Sequence, residues 1–336
     1  ATDIKNTQTP TNYNTVNISG ADIIQYIGNT PVNIVGIKQG QTVKQYFESI
    51  FASVGLNSSQ YNVASTLNKV IKYTYAFGVK LKDILNSLAK SYMCNVFVDR
   101  DGVIQVVDLL ALALETTKTF EFDGVVNTFE TSLGNNLLDT YNSVKITYSN
   151  PTTVKSEKLL SVSDIEIPVG TTTLSEFVYG DGKKAMNLDY ISLYNSDDDT
   201  LITIDTISSN QNSVILTVTN SGTEAKKVTI DIYGGSVKEN SSVIEKYVTG
   251  ITEDKRKYLE IDAKLIQTDS YANTYATVVL KYLASSVSYV DLKTKGNPLL
   301  RLGSIVGVKS DWLKFNSTCI ISSIKLSMGK SYTCDI

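Results

Sequence analysis

The stretch LKDILNSLAKSYMCNVFVDRDGVIQVVD, residues 81–108, decides how the rest of the chain is read. Leu81, Ile84, Leu85, Leu88 and Tyr92 recur at the three-and-four spacing that puts them on one helical face, with Lys82, Asp83, Asn86 and Lys90 on the other. Residues 96–98 and 103–107 are short β-rich runs separated by Asp99, Arg100, Asp101 and Gly102. A glycine after aspartate supplies the positive φ of a tight hairpin, and the charged turn residues stay in water. The segment predicts an amphipathic helix packed on a two-stranded ribbon.

Working outward, Thr42 and Gln45 form a capping box ahead of Val43, Tyr46, Phe47, Ile50, Phe51 and Val54, with Gly55 as the stop, which predicts a second helix. Residues 32–37 read as a strand, and the Tyr-rich run 70–77 as a strand or an extended approach to the central helix. Ser19 and Asp22 can cap a short helical turn closed by Gly28. Residues 109–114 fit either a continued strand or a turn of helix. Residues 1–17, rich in Thr and Asn, read as an extended arm or linker, and residues 18–114 as an α/β domain.

Further along, residues 119–122, 125–132 and 143–148 are strand-like, and Asn150 with Pro151 marks a boundary. Residues 151–242 alternate short Thr-, Ile- and Val-rich runs with Gly, Asn, Ser and Asp turns at roughly ten-residue intervals, the pattern of an inserted β-sandwich. After a strand at 243–248 comes a third helix, capped near Asp269, with Tyr275, Val278, Val279, Tyr282 and Leu283 on one stripe. Strands are then expected at 286–293, 304–309, 319–326 and 331–336. Residues 115–150 plus 243–336 are expected to close into a discontinuous β-barrel with that helix packed on it.

Composition limits the chemistry. The 336 residues include no histidine, which removes Ser-His and Cys-His nucleophile pairs, imidazole acid-base catalysis and most zinc sites. A carboxylate pair, as in glycoside hydrolysis, passes this filter, but its members must sit about 5–9 Å apart in space and the sequence selects none. The 31 basic and 34 acidic residues form no Lys/Arg block, so no sequence-specific nucleic-acid surface is expected. No window approaches the roughly twenty apolar residues of a membrane span. The opening ATDIKNTQTPTNYNT lacks the basic start and apolar core of a signal peptide. A start at Ala1 without Met, and an end inside a strand-like run, read as a processed product or a fragment.

Five constellations invite a chemical reading. Asp99 to Gly102 begins like a calcium loop, but the later ligands are missing and a hairpin turn is expected. Asp197, Asp198 and Asp199 read as a solvated turn. Gly180, Asp181, Gly182, Lys183 and Lys184 lack phosphate-loop spacing. Lys255, Arg256 and Lys257 are the densest basic patch, offset by Glu253 and Asp254. Cys94, Cys319 and Cys334 sit in apolar runs that suit buried thiols, with a Cys319–Cys334 bridge left open. Twenty tyrosines accompany a single Trp, a usage that suits half-buried strands, subunit interfaces and sugar-binding surfaces alike. No catalytic, cofactor-binding or metal residue is assigned.

Three segments carry a resemblance. Residues 81–108 look like the helix and "vdrdG" hairpin of the bacteriophage tail or baseplate hub proteins. GNNLLDTYNSVKITY looks like the strand opening that family's second barrel. YANTYATVVLKYLASSVSYVDLKTKGNPLLRLGSIVGVKS with CIISSIKLSMGKSYTCDI looks like the helix and closing strands that end the hub core. Residues 152–242 have no counterpart in that core and resemble the β-sandwich decorations of tail proteins. The resemblance implies an α+β, β-rich fold: hub-like β-barrel and α/β subdomains with an inserted β-sandwich. It also implies a structural virion protein without enzyme activity or cofactor. Such a protein is made in the host cytoplasm and assembles as a ring, most often a homotrimer, joining the tail tube to a spike or fibre. The competing reading is a surface adhesin whose sandwich meets a host glycan.

Overall fold

The computed structural model describes residues 3–8, 14–19, 22–114, 117–123, 128–135, 141–194, 201–284, 288–295, 297, 299–328 and 332–336. Within the leading residues, β1 (Asp3–Gln8) and β2 (Asn14–Ser19) pair antiparallel as a ribbon. There follow α1 (Ile23–Ile27), β3 (Pro31–Thr42), α2 (Val43–Ser53), β4 (Tyr61–Val63), β5 (Val70–Lys80), α3 (Leu81–Tyr92), β6 (Cys94–Val98), β7 (Ile104–Asp108) and α4 (Leu109–Leu114). The helix at 109–114 settles the ambiguity there, and Asp108 caps it by accepting from the Leu110 and Ala111 amides. β3 pairs antiparallel with β5, and β7 lies between β6 and β4, parallel to β4.

One core joins these elements. Tyr46, Phe47, Ile50 and Phe51 from α2 meet Leu81, Leu85 and Leu88 from α3, together with Val32, Ile71 and Ile104 from the strands. The capping box is complete, since Thr42 Oγ1 accepts from the Gln45 amide at 3.2 Å and Gln45 Oε1 accepts from the Thr42 amide at 2.9 Å. Thr42→Ala should therefore cost about 1 kcal/mol, read as a lower urea midpoint at unchanged slope.

β8 (Phe120–Asp123), β9 (Thr128–Asn135) and β10 (Ser143–Ser149) lead to the sandwich. That unit comprises β11 (Thr152–Ile167), β12 (Gly170–Thr173), β13 (Phe177–Val178), β14 (Lys184–Tyr194), β15 (Ile202–Ser209), β16 (Ser213–Asn220) and β17 (Lys226–Lys238). One sheet has the order β11-β17-β14, and the other is built around β16, which pairs with β12, β13 and β15. Leu159, Val228, Ile230 and Ile232 of the first sheet pack against Val214, Leu216 and Val218 of the second. The chain leaves at Asn150 and returns at Asn240, where the Asn150 amide donates to Asn240 O at 2.7 Å and Asn240 Nδ2 donates to Asn150 O at 3.2 Å.

The chain then forms β18 (Ser241–Tyr247), β19 (Tyr258–Ala263), α5 (Asp269–Ala284), β20 (Ser288–Lys295), β21 (Ile305–Ser310), β22 (Phe315–Ile320), β23 (Lys325–Met328) and β24 (Tyr332–Asp335). No closed barrel forms among the described residues. Three open sheets take its place, ordered β18-β10-β19, β22-β21-β8 and β23-β24-β20-β9. Closure needs a continuous ladder with a regular stagger, whereas these strands are short and end in unpaired edges. The first sheet buries Val144, Ile146 and Tyr148 against Ala272, Tyr275, Ala276 and Val279 of α5. Tyr282 and Leu283, expected on the same stripe, fall outside the residues whose side chains are described. The other two sheets share one core, with Phe122, Val306 and Val308 meeting Leu292 and Ile321.

The early and late parts of the chain are stitched together. Tyr92 OH donates to Leu265 O at 2.7 Å and Tyr275 OH donates to Lys90 O at 2.6 Å, while the rings of Tyr92 and Tyr271 stack at 5.4 Å. Gln267 caps the edge of β5 from both sides, accepting from the Tyr73 amide at 2.9 Å and donating to Tyr73 O at 2.7 Å. Met93 ends α3 in the left-handed region, φ 48°, and packs its side chain against the α5 core. The sandwich is tied in through Gln211 in its β15–β16 turn, which is buried and accepts from the Gly36 amide at 3.1 Å.

Candidate functional site

Several of the sequence candidates carry structural roles. Asp99 Oδ1 accepts from the Asp101 and Val103 amides and Oδ2 from Gln105 Nε2 at 2.8 Å, so its carboxylate builds the hairpin turn, with Gly102 at φ +79°. Lys183 Nζ lies 2.9 Å from Glu157 Oε2 and donates to Lys158 O, and Lys184 Nζ donates to Asn212 Oδ1. Arg256 lies 3.7 Å over the Tyr247 ring and flanks the β18-β10-β19 sheet. Asp197, Asp198 and Asp199 lie outside the described residues. Among those residues no group of three or more His, Cys, Asp or Glu is placed to hold a metal, and no helix is long and apolar enough to cross a membrane.

The open Cys319–Cys334 bridge is not made. Cys319 is a free thiol on β22, whereas residue 334 lies on β24 of a different sheet. Cys94 is buried, and burial with Asp108 nearby pushes its thiol up to about 12, so it is a packing group.

Three surface features stand out among the described residues. The first is a cleft of about 690 Å³ between the β6–β7 hairpin and the 299–304 turn. Phe97, Val98, Leu300 and Leu302 line its walls, and Arg100 and Arg301 stand at it. Arg301 Nη2 lies 3.7 Å from Asp101 Oδ2 in a largely exposed pair. Burial of Asp99 acts against ionisation, but its hydrogen bonds and the Arg301 charge outweigh that and hold its carboxyl below the usual range.

The second feature is the β21–β22 turn. It carries the chain's single Trp, Trp312, with 87 % of its surface exposed, beside Asp311, which pairs with Lys309 at 3.4 Å. The sequence reading passed over this residue. Its signal was present in KSDWLKFNS, one large ring set among turn-forming polar groups.

The third is the outer face of the β11-β17-β14 sheet. Asp231 is 4 % exposed there, pairs with Lys158 Nζ at 2.5 Å and accepts from Ser161 Oγ and from Tyr233 OH at 3.4 Å. The rings of Tyr233 and Tyr190 stack at 4.5 Å and 13°, with Lys158 on the Tyr233 ring and Tyr190 half exposed. Hydrogen bonds from Lys158 and Ser161 hold the Asp231 carboxyl below its usual range, as those from Ser236 and Lys183 do for Glu157. A depressed folded pKa stabilises above the unfolded value, near 4, and that stability is lost as pH falls through the folded pKa. The thermal midpoint of the sandwich should therefore hold from pH 7 to about 5 and drop below about 4, and Asp231→Asn should flatten that drop.

With the geometry established, comparison with solved structures gives near full-length matches. A 43 kDa tail protein of prophage MuSo2 from Shewanella oneidensis is similar over 99 % of this chain and 75 % of its own, at 12 % identity and a TM-score of 0.54. The fold is shared with tail proteins. A tail protein from Neisseria meningitidis MC58 is similar over 99 % of this chain and 76 % of its own, at 9 % identity and a TM-score of 0.56. No protein-family model matches the sequence, and comparison with curated proteins gives no match.

Proposed function

We propose that the chain is a structural component of a phage tail, a tail or baseplate hub that assembles as a homotrimeric ring joining the tail tube to a spike or fibre. The fold match across 99 % of the chain carries the reading, because it spans the sandwich as well as the units around it. The stitched junction of Tyr92, Tyr275 and Gln267 supports it by giving the ring a stiff protomer. The role needs no catalytic residue and places the protein in the virion after synthesis in the host cytoplasm. Imaging of the purified protein should give rings with an axial hole, and mass spectrometry should find the chain in purified particles. A chain that stays monomeric and is missing from particles would refute the proposal.

A second reading, an adhesin that meets a host glycan, draws on the Lys158–Tyr233–Tyr190 stack and the buried Asp231 beside it. Aromatic faces beside fixed polar groups suit sugar rings. Full-length protein on a glycan array should then bind, and Tyr190→Ala should abolish the signal; an empty array retires this reading.

A further inference from the structure

We infer that the Trp312 turn of one copy inserts into the cleft beside Arg301 of the next, so that the contact between copies is head to tail. This rests on the ring reading and names the contact that makes it. The two features sit at opposite ends of one strand. Gly303 and Ser304 line the cleft immediately before β21, and Trp312 follows two residues after it. A six-residue strand separates them by roughly 20 Å, so one copy cannot fill its own cleft.

The chemistry matches on both sides. The turn offers a ring 87 % exposed, and isolated exposure of that extent in the sole Trp leaves a large apolar area unused within the chain. The cleft, about 690 Å³ with Phe97, Val98 and Leu302 among its walls, falls in the range that accepts groups larger than one indole. Charge agrees as well. Asp311, 77 % exposed beside the Trp and 3.4 Å from Lys309, approaches a cleft lined by Arg100, Arg301 and Asp99, where basic groups outnumber acidic ones; Arg301 lies 3.7 Å from exposed Asp101 and its charge also acts on Asp99. A knob and a socket on different patches make a heterologous contact, which generates a ring when its rotation closes.

The test uses the full chain in sedimentation and iodide quenching, with Trp312 as the only tryptophan reporter. Wild type should assemble with rising concentration as its fluorescence becomes shielded from iodide. Trp312→Ala, at a surface position, should weaken assembly about 30-fold or more. Arg301→Glu should weaken it from the socket side, and circular dichroism should show both variants folded. Mixing the two should restore pairwise association, because one contributes an intact knob and the other an intact socket, without restoring the closed ring. If wild type forms rings while Trp312 stays open to iodide and both variants assemble normally, the knob and socket are refuted and the ring reading survives. If wild type remains monomeric at every concentration, the knob and socket are refuted, and if it is also missing from purified particles the ring reading falls with them.

Discussion

Phe47→Ala should remove about 3–5 kcal/mol of stability, a large share of the roughly 5–15 kcal/mol that holds a domain folded. Phe47 is fully buried in α2, its ring 6.1 Å from that of Phe51, which in turn lies 4.9 Å from Tyr61. Truncation takes away both the transfer free energy of the ring and the contacts of its neighbours. The helix cannot settle into the gap, because the capping box fixes its start and the antiparallel β3–β5 pair leads directly into it. Lys44→Ala is the control on the same helix. It removes a half-buried surface i,i+4 pair to Glu48 at 2.6 Å and should cost only about 0.3–0.5 kcal/mol. Urea unfolding followed by far-UV circular dichroism measures both, and a loss below about 1 kcal/mol for Phe47→Ala would contradict the packing of this core.

Those two residues also show what the sequence could disclose. Helical phase depends on neighbours three and four apart, so the burial of Phe47 was readable from residues 42–55, while Lys44, off that stripe, stays half-buried, and α3 was readable from its own stripe. The β6–β7 hairpin was readable because Asp99 and Gly102 specify its turn locally. Pairings between distant segments were not. β21 lies parallel to β8, with Val306 opposite Phe120, and nothing near either strand announces the other. The barrel expectation failed for that reason: strand-like runs were recognised, but ladder order and closure are properties of the assembled sheets. The run 319–326, read as one strand, breaks at Ile321, where the chain turns inward and exchanges hydrogen bonds with Gly303 and Ser304. Surface features fared likewise, since the exposure of Trp312 is a fact about what fails to cover it.

Gly234→Ala should destabilise the sandwich by at least the upper end of the roughly 1–3 kcal/mol usual for overpacking. Gly234 sits in β17 between β11 and β14, and a Cβ there would fall 2.1 Å from the Asn187 carbonyl oxygen and 3.0 Å from Leu159 Cδ1. The obstacle is backbone, so no rotamer change relieves it. β14 would have to move off β17 at the point where its register already shifts twice, between Ala185 and Asn187 and between Leu188 and Tyr190. Gly102→Ala separates space from backbone conformation. At φ +79° with nothing within 4 Å of the added carbon, it should cost about 1–2 kcal/mol through conformation alone. Limited proteolysis distinguishes the two: Gly234→Ala should open cleavage within residues 151–240, and Gly102→Ala should not. A Gly234→Ala protein as resistant as wild type would show that β14 and β17 do not approach this closely, and the outer face that carries Tyr190 and Tyr233 would then need a different register.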